Sequence, residues 1–307
     1  MLGATAACSP SPIIDPSKAP TPQPTPTLDD QRHTAAQLEL DLAAACAAVA
    51  DQFSGARREW FAATAQAHQA RHTVLAQRDP FAGVQADHTP IADFQPSTLP
   101  TVSADQVAQL AQRATEQLVD LMSQQAEPQR ALLLASCAAA TTFTARHALA
   151  EQAPLPVAGQ TVPAPVEFGS HVETLQLLLG HLQALEFGLE TLTGKTANQP
   201  ASEQLRAQLR VRLASTSTQV DRLRQLIVQA GSQPTPAAAQ YQRPVDGDDS
   251  AKRATWGKLE ANVAAAWAAV VATAEPAHRQ DLFDEFVPQL QRAQELGQPL
   301  TYWPGWQ

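Results

Sequence analysis

Apolar residues recur at helical spacing along almost all of the chain after Leu28, and breaks containing glycine, proline or serine divide the pattern into segments. Ser54-Gly55, Asp79-Pro80 and Gly231 are breaks of this kind. Ser103 followed by Gln106 has the spacing of a capping box, which marks the start of a helix. The pattern predicts eight helices, at residues 29–53, 57–77, 103–126, 128–152, 170–194, 201–230, 250–274 and 276–297.

The lengths of the connections indicate how these helices are arranged. In each half of the chain the first two helices are joined by a short turn, and a long proline-containing connection leads to the third, at 78–102 and at 231–249. A connection of that length can run along a whole bundle, which makes the helices on either side of it parallel. Short, long, short is the ferritin-like order. The sequence therefore predicts an all-α protein of two consecutive four-helix bundles of ferritin-like topology, at 28–152 and 170–307.

The tripeptide Ala-Glu-Pro occurs twice, ending at Pro128 and at Pro276. Proline is favoured at the first position of a helix, and a glutamate beside it favours the positive end of the helix dipole. Both copies are therefore predicted to be the hairpin between the third and fourth helix of a bundle. Duplication of one bundle explains the repeat, and chance in an alanine-rich chain remains the rival explanation.

The composition agrees with an all-α fold and restricts the partners. Aromatic residues are 5% of the chain, so the core must be built mainly from Ala, Leu and Val. Ala and Leu are the strongest helix formers. The formal net charge of -9 repels a phosphate backbone, so we expect no nucleic-acid partner. No stretch of the sequence approaches the 18 consecutive apolar residues that indicate a membrane-spanning helix.

The first residues contain a candidate localisation signal. Thr5-Ala6-Ala7-Cys8 resembles the lipobox of bacterial lipoproteins, and the proline-rich stretch that follows resembles the stalks of actinobacterial surface lipoproteins. The resemblance implies a lipid attached to Cys8, a tether over residues 1–27 and a place on the outer face of the cell membrane. Because only seven residues precede Cys8, too few for an export signal, translation is expected to begin upstream of Met1. The alternative is an unstructured cytoplasmic N-terminus with a chance cysteine.

The other two cysteines, Cys46 and Cys137, both lie in alanine-rich helical stretches. A buried cysteine that packs as a small apolar residue explains each of them. In an exported protein a disulfide between them is the alternative, and the sequence does not give the distance that this bond needs.

The second half of the chain resembles a known family. The stretches LQLLLGHLQALEFGLETLTG and RLASTSTQVDRLRQLIVQAGSQPTPAAAQYQRPVD, with LEANVAAAWAAVV and RAQELGQPLTYWPG near the end, are similar to the actinobacterial DUF4439 family. The resemblance covers most of 170–307 and implies a ferritin-like lipoprotein of unknown function. Its first-helix motif has Glu-His, whereas this chain has Gly180 before His181. A metal ligand at that glutamate would therefore be missing.

Candidate metal ligands are few in this chain. A ferritin-like site takes a glutamate from each of two helices and Glu-x-x-His from each of the other two. His68 and His72 have the i, i+4 spacing of metal ligands, with Gln69 in place of the glutamate of an HExxH site. Glu39 and Glu116 would have to converge on them. Two partly exposed histidines are the alternative explanation.

Other polar residues have structural explanations that compete with functional ones. Glu275 and His278 form the one Glu-x-x-His of the chain, which falls in the turn at Pro276 and is explained there by a helix cap. Glu186 falls near the apolar stripe of its helix, where burial would require a partner such as Arg210 or Arg222.

Tyr302, Trp303 and Trp306 concentrate aromatic side chains near residue 307. They are expected either to pack across the end of a bundle or to form an exposed recognition surface.

These observations lead to one hypothesis and two alternatives. The hypothesis is a non-enzymatic, lipid-anchored envelope protein without a cofactor, whose ferritin-like bundles have lost their metal ligands and bind a partner or serve a structural role. The first alternative is a metal-dependent oxidoreductase or iron-handling protein that uses His68 and His72. The second is a helical adapter for another envelope protein.

Overall fold

A computed structural model describes residues 28–81, 87–97, 102–158, 163–197, 199–239, 241 and 247–306. The predicted all-α class is confirmed, because the described residues contain α-helices, short 3-10 turns and two isolated bridges but no strand. The helices are α1 (Leu28–Ala50), α2 (Gly55–Leu75), α3 (Ala104–Ser123), α4 (Pro128–His147), α5 (His171–Thr196), α6 (Glu203–Gln229), α7 (Asp249–Thr273) and α8 (Arg279–Glu295). Cys8 and the predicted tether lie outside the described residues. Among the residues that are described, no helix is both long and apolar enough to cross a membrane.

The helix starts follow the local chemistry of the sequence. Ser103 and Gln106 form the predicted capping box of α3, with Ser103 N donating to Gln106 Oε1 at 2.8 Å and Gln106 N donating to Ser103 Oγ at 3.3 Å. A second capping box joins Ser170 and Glu173 at the start of α5. Each box satisfies backbone donors that have no partner within the helix.

Both Ala-Glu-Pro motifs lie in the predicted hairpins. Glu127 is the N-cap residue of α4 and Pro128 is its first residue, directly after the turn from α3. In the second half, Pro276 begins a 3-10 turn that ends at His278, and α8 starts at the next residue. Glu275 and His278 are exposed in this turn, so their spacing reflects a helix start and brings no ligands together.

The two halves of the chain pair their helices in the same way. In the first half α1 packs on α2, α3 on α4 and α1 on α3, and in the second half α5 packs on α6, α7 on α8 and α5 on α7. Across the halves, α4 packs on α7 and α3 contacts α8. The largest cluster of buried apolar residues contains side chains from both halves, from Ala35 to Trp306. The largest part of the hydrophobic core therefore continues between the halves, and two smaller clusters lie within the first half.

The aromatic residues near residue 307 pack into this core, which corrects the alternative that they form a binding surface. Trp303 is 2% exposed and Trp306 is 7% exposed, and Tyr302 is partly buried against the same cluster. Trp306 Nε1 donates to the Ala164 carbonyl at 2.9 Å, and the Trp306 ring stacks on Phe81 with centroids 6.0 Å apart. Large aromatic rings gain most from leaving water, which explains their burial between the two halves.

Gly305 permits this close packing of the chain end. Its φ is +80°, a conformation that glycine adopts without strain. A Cβ atom at this position would lie 2.5 Å from Ala268 Cβ and 2.8 Å from the Phe286 ring. Glycine therefore meets both a conformational and a steric requirement at the contact between the chain end and α7 and α8.

Candidate functional site

The first half contains a fully buried network of charged and polar side chains. Glu39 on α1 and His68 on α2 are 0% exposed, and Arg71 on α2 is 2% exposed. Glu39 Oε2 lies 2.6 Å from His68 Nδ1, and Arg71 Nε lies 3.0 Å from both carboxylate oxygens. His68 and Arg71 are one helical turn apart, so both reach the same carboxylate.

The hydrogen bonds of the network define the form of the histidine. His68 Nδ1 lies 2.6 Å from Glu39 Oε2 and 2.8 Å from Arg71 Nη2, which can only donate. Because the pKa of Glu39 is lowered and its carboxylate is ionised, we assign the Nδ1 proton to the hydrogen bond with Glu39, and the Arg71 Nη2 contact is then a close approach of two donors. In the neutral ring Nε2 is then an acceptor, and the hydroxyl of Thr144 on α4 donates to it at 3.0 Å. Arg71 Nη1 also donates to the Tyr302 carbonyl at 3.2 Å. The network therefore connects three helices of the first half to the end of the second.

The charge states follow from burial and from the neighbouring charges. Burial lowers the pKa of His68, the Arg71 charge acts in the same direction, and Glu39 opposes both. Burial alone would raise the pKa of Glu39, but the charge of Arg71 and the contacts with His68 outweigh it and lower that pKa. The network consequently holds an ionised Glu39, a neutral His68 and the guanidinium of Arg71.

A second buried network lies in the other half of the chain. Glu260 on α7 is 0% exposed and accepts hydrogen bonds from Arg212 on α6, with Nε 2.8 Å from one oxygen and Nη2 2.9 Å from the other. Trp256 Nε1 donates to Glu260 at 2.7 Å, and Gln289 on α8 also donates to it. Burial would raise the pKa of Glu260, but these donors and above all Arg212 lower it. The carboxylate is therefore ionised and fully bonded.

The two networks are built from the same kinds of residue. In each, one buried glutamate is neutralised by an arginine from the second helix of its half, and hydrogen bonds extend to the fourth helix of that half. A guanidinium fills the acceptor positions of a carboxylate with fixed donors, and these positions are the ones a metal ion would use.

The remaining candidate ligands lie apart from these networks. His72 Nδ1 bonds to the Ala36 carbonyl at 2.9 Å, and the His72 ring packs edge-on against Phe94. Glu116 is exposed and contacts Gln112 on its own helix. Among the described residues, no three His, Cys, Asp or Glu side chains are grouped so that they could hold a metal ion. Of the four candidates, the structure brings only Glu39 and His68 together.

The partner of Glu186 is a serine on α6, not one of the two arginines that the sequence suggested. Glu186 is half-buried and accepts a short hydrogen bond from the Ser217 hydroxyl on α6. Arg222 instead pairs with Glu285, 3.2 Å away. Ser217 is half-buried and directly follows the buried Thr216 on α6, so a hydroxyl supplies the partner that the sequence assigned to an arginine.

Cys46 and Cys137 are free thiols, and both are fully buried. Burial raises the pKa of Cys46 to about 12, and burial together with Glu39 raises the pKa of Cys137. A thiol in this state is not a nucleophile, because the thiolate is the reactive form. The two cysteines pack as small apolar residues.

Four residues central to these networks were not singled out from the sequence: Arg71, Arg212, Glu260 and Gln289. Glu260 carried a signal, because it is the one charged residue in the stretch Leu259–Val271 and follows Trp256 by one helical turn. Arg212 lies in QLRAQLRVRL, where three arginines look alike, and only the packed structure distinguishes the buried one.

We expect the stability of the protein to fall as the pH is lowered from about 7 to about 5. The pKa of His68 is held below its ordinary value of 6.5, so in this range the unfolded chain binds a proton that the folded chain does not. Each such group contributes a slope of up to about 1.4 kcal/mol per pH unit. Below 4.5, Glu39 and Glu260 add to the loss, because their folded pKa values are also lowered and protonation then favours the unfolded chain.

Urea denaturation at a series of pH values checks this expectation. His68→Gln should flatten the slope between about pH 7 and about pH 5, leaving the part due to His147, His171 and His181, whose pKa values burial also lowers. The control is His278→Gln, which changes an exposed histidine in the turn before α8. Equal slopes for His68→Gln and the unchanged protein would show that His68 is not the source.

Comparisons with known proteins find a similarity for part of the chain. No curated protein and no solved structure matches it. A family model, described as a domain of unknown function (DUF4439), matches residues 193–307. The matched residues include Arg212, Glu260 and Gln289, so the second buried network lies within the part of the chain that resembles this family.

Proposed function

We propose that this protein is a lipid-anchored envelope protein whose two ferritin-like bundles serve a binding or structural role, with arginine in the place of metal. The observation that carries the proposal is the pair of buried Glu–Arg contacts, Glu39 with Arg71 and Glu260 with Arg212. A buried carboxylate that accepts two guanidinium hydrogen bonds has no further charge to offer a cation.

The positions of these residues support a ferritin-like origin of the bundles. A ferritin-like site takes glutamates from two helices and Glu-x-x-His from the other two. Glu39 lies on the first helix of its half and Glu260 on the third of its own, while the second helix supplies arginine in both halves. Contacts of the first helix with the third, and hydrogen bonds of the second with the fourth, occur in each half.

The proposed anchor rests on the sequence. Thr5-Ala6-Ala7-Cys8 and the proline-rich stretch after it are the features of a lipobox and a stalk. Free cysteines at Cys46 and Cys137 fit this location, because fully buried thiols are protected from oxidants outside the cytoplasm.

Metal analysis tests the metal-free part of the proposal. The protein is produced in medium supplied with iron and manganese, purified without chelators and examined by mass spectrometry and absorption spectroscopy. We expect no stoichiometric metal, either in the unchanged protein or in Glu39→Gln. A stoichiometric metal that is lost in His68→Ala would overturn the proposal in favour of a metal-dependent oxidoreductase.

Cell fractionation tests the anchor. The gene is expressed with its native upstream DNA in an actinobacterial host, and membrane and cytosolic fractions are compared by immunoblot. We expect the protein in the membrane fraction and Cys8→Ala outside it. Unlipidated protein in the cytosol of cells that carry the unchanged gene would remove the anchor.

A further inference from the structure

A cavity on the outer side of α5 lies apart from both buried networks. It has a volume of about 570 Å³, within the range of sites for small molecules. One wall is a single face of α5, and the opposite wall is the segment after α6, residues 232–239 with Tyr241, which we call the strap. The lining residues are Gln183, Glu186, Phe187, Glu190, Arg224, Ala237, Ala238, Ala239 and Tyr241.

The strap is held in place by hydrogen bonds to α5. Gln176 Nε2 donates to the Gln233 carbonyl at 2.7 Å, and Thr235 N donates to Gln176 Oε1 at 2.8 Å. The Tyr241 hydroxyl accepts from Ala238 N at 2.9 Å and donates to Gln183 Oε1 at 3.4 Å. The cavity is therefore formed before any ligand arrives, which reduces the entropy cost of binding.

The charged residues that the structure describes in the lining are two glutamates and one arginine. Glu186 and Glu190 are one turn apart on α5, an arrangement of like charges that destabilises a helix. Glu190 is exposed and makes no hydrogen bond or ion pair with another described residue. Among the lining residues that the structure describes, Arg224 is the one cation, and Asp221, 3.3 Å away, offsets its charge. The balance around the cavity therefore favours a positively charged ligand.

Two aromatic rings complete the recognition surface. Phe187 on α5 and Tyr241 of the strap have ring centroids 5.5 Å apart, with their planes tilted by 36°. Neither residue is fully buried. Aromatic faces attract cations through the ring quadrupole, most strongly cations that shed water easily. The strap contributes three consecutive alanines opposite α5, which leave room for a ligand.

We propose that this cavity binds a small organic cation of the substituted ammonium class. The cationic group is recognised by the Phe187 and Tyr241 rings together with the carboxylates of Glu186 and Glu190. The inference gives a ligand class to the binding role proposed above, and it rests on residues outside both buried networks. A failure to bind would leave the metal-free, anchored protein as proposed, and a bound metal would leave this cavity unchanged.

Calorimetric titration of the full chain with choline tests the proposal, with 3,3-dimethylbutan-1-ol as its uncharged isostere. We expect choline to bind at least about tenfold more tightly than the isostere, because ring faces and carboxylates both favour the charge. Equal affinities, or no detectable binding of choline at low ionic strength, would overturn the proposal.

Matched variants locate the site. Glu190→Gln should weaken choline binding by about threefold and Glu186→Gln with Glu190→Gln by about tenfold, as expected for partly exposed charge pairs. The control is Glu203→Gln, an exposed glutamate at the start of α6 that does not line the cavity. Circular dichroism confirms that each variant is folded.

Amide NMR spectra locate the bound choline independently of the variants. Choline should shift the signals of Ala237–Ala239. Shifts confined to other residues would show that choline binds outside this cavity.

Discussion

Replacing Arg212 with methionine is expected to lower the free energy of unfolding by about 3–5 kcal/mol. Methionine keeps most of the apolar volume of the arginine side chain but leaves Glu260, which is 0% exposed, without its counter-charge. A buried carboxylate without a partner costs far more than the original ion pair contributed. Urea denaturation followed by circular dichroism at neutral pH measures the loss.

Two further variants make this prediction specific. Arg222→Met on the same helix removes an exposed ion pair, with the two side chains 70% and 40% exposed, and should cost no more than about 1 kcal/mol. Adding Glu260→Gln to Arg212→Met should recover most of the loss, because it removes the charge but keeps an acceptor for Trp256. Equal losses for Arg212→Met and Arg222→Met would mean that Glu260 does not depend on its arginine.

Replacing Arg279 with methionine is expected to cost about 3 kcal/mol or more. Arg279 is 2% exposed, and its guanidinium donates to the carbonyls of Met122 and Gln125 at the end of α3 and of Ala272 near the end of α7. These carbonyls would lose a charged donor in a region that water does not reach, so each would carry the cost of an unsatisfied acceptor.

Arg206→Met is the matched control for Arg279→Met. Arg206 also donates to two carbonyls at a helix end, those of Thr196, the last residue of α5, and of Ala197. One of these contacts is exposed, and both lie within the second half. Water can replace the lost donors there, so we expect a loss of less than about 1 kcal/mol. If both variants unfolded at the same urea concentration, Arg279 would not connect the two halves as its contacts suggest.

The helices could be predicted from the sequence because their signals are local. Capping boxes, Pro128 at a helix start and glycine breaks act within one turn, so the predicted helices differ from the observed ones by only a few residues at each end. The continuity of the core between α4 and α7 was not predicted, because contacts between distant alanine-rich faces leave no pattern in a single chain.

The candidate site was only partly predictable, for a related reason. Glu39 and His68 were identified by residue type and spacing, and they do meet. Arg71 was not, since arginine is usually a surface residue and its burial follows only from the carboxylate it neutralises. The aromatic residues from Tyr302 to Trp306 could be assigned to packing or to recognition, and only their burial between the halves decided between these.

The contact between Arg71 and the Tyr302 carbonyl joins two residues that are synthesised at very different times. The two residues are 231 positions apart, so α2 emerges from the ribosome long before its last hydrogen-bond partner is synthesised. A variant truncated before Tyr302 would lack the carbonyl that accepts from Arg71 Nη1. It would also lack Trp306, whose ring stacks on Phe81. Local openings of this kind are sites of proteolysis, so we expect a variant truncated before Tyr302 to be cleaved faster than the unchanged protein.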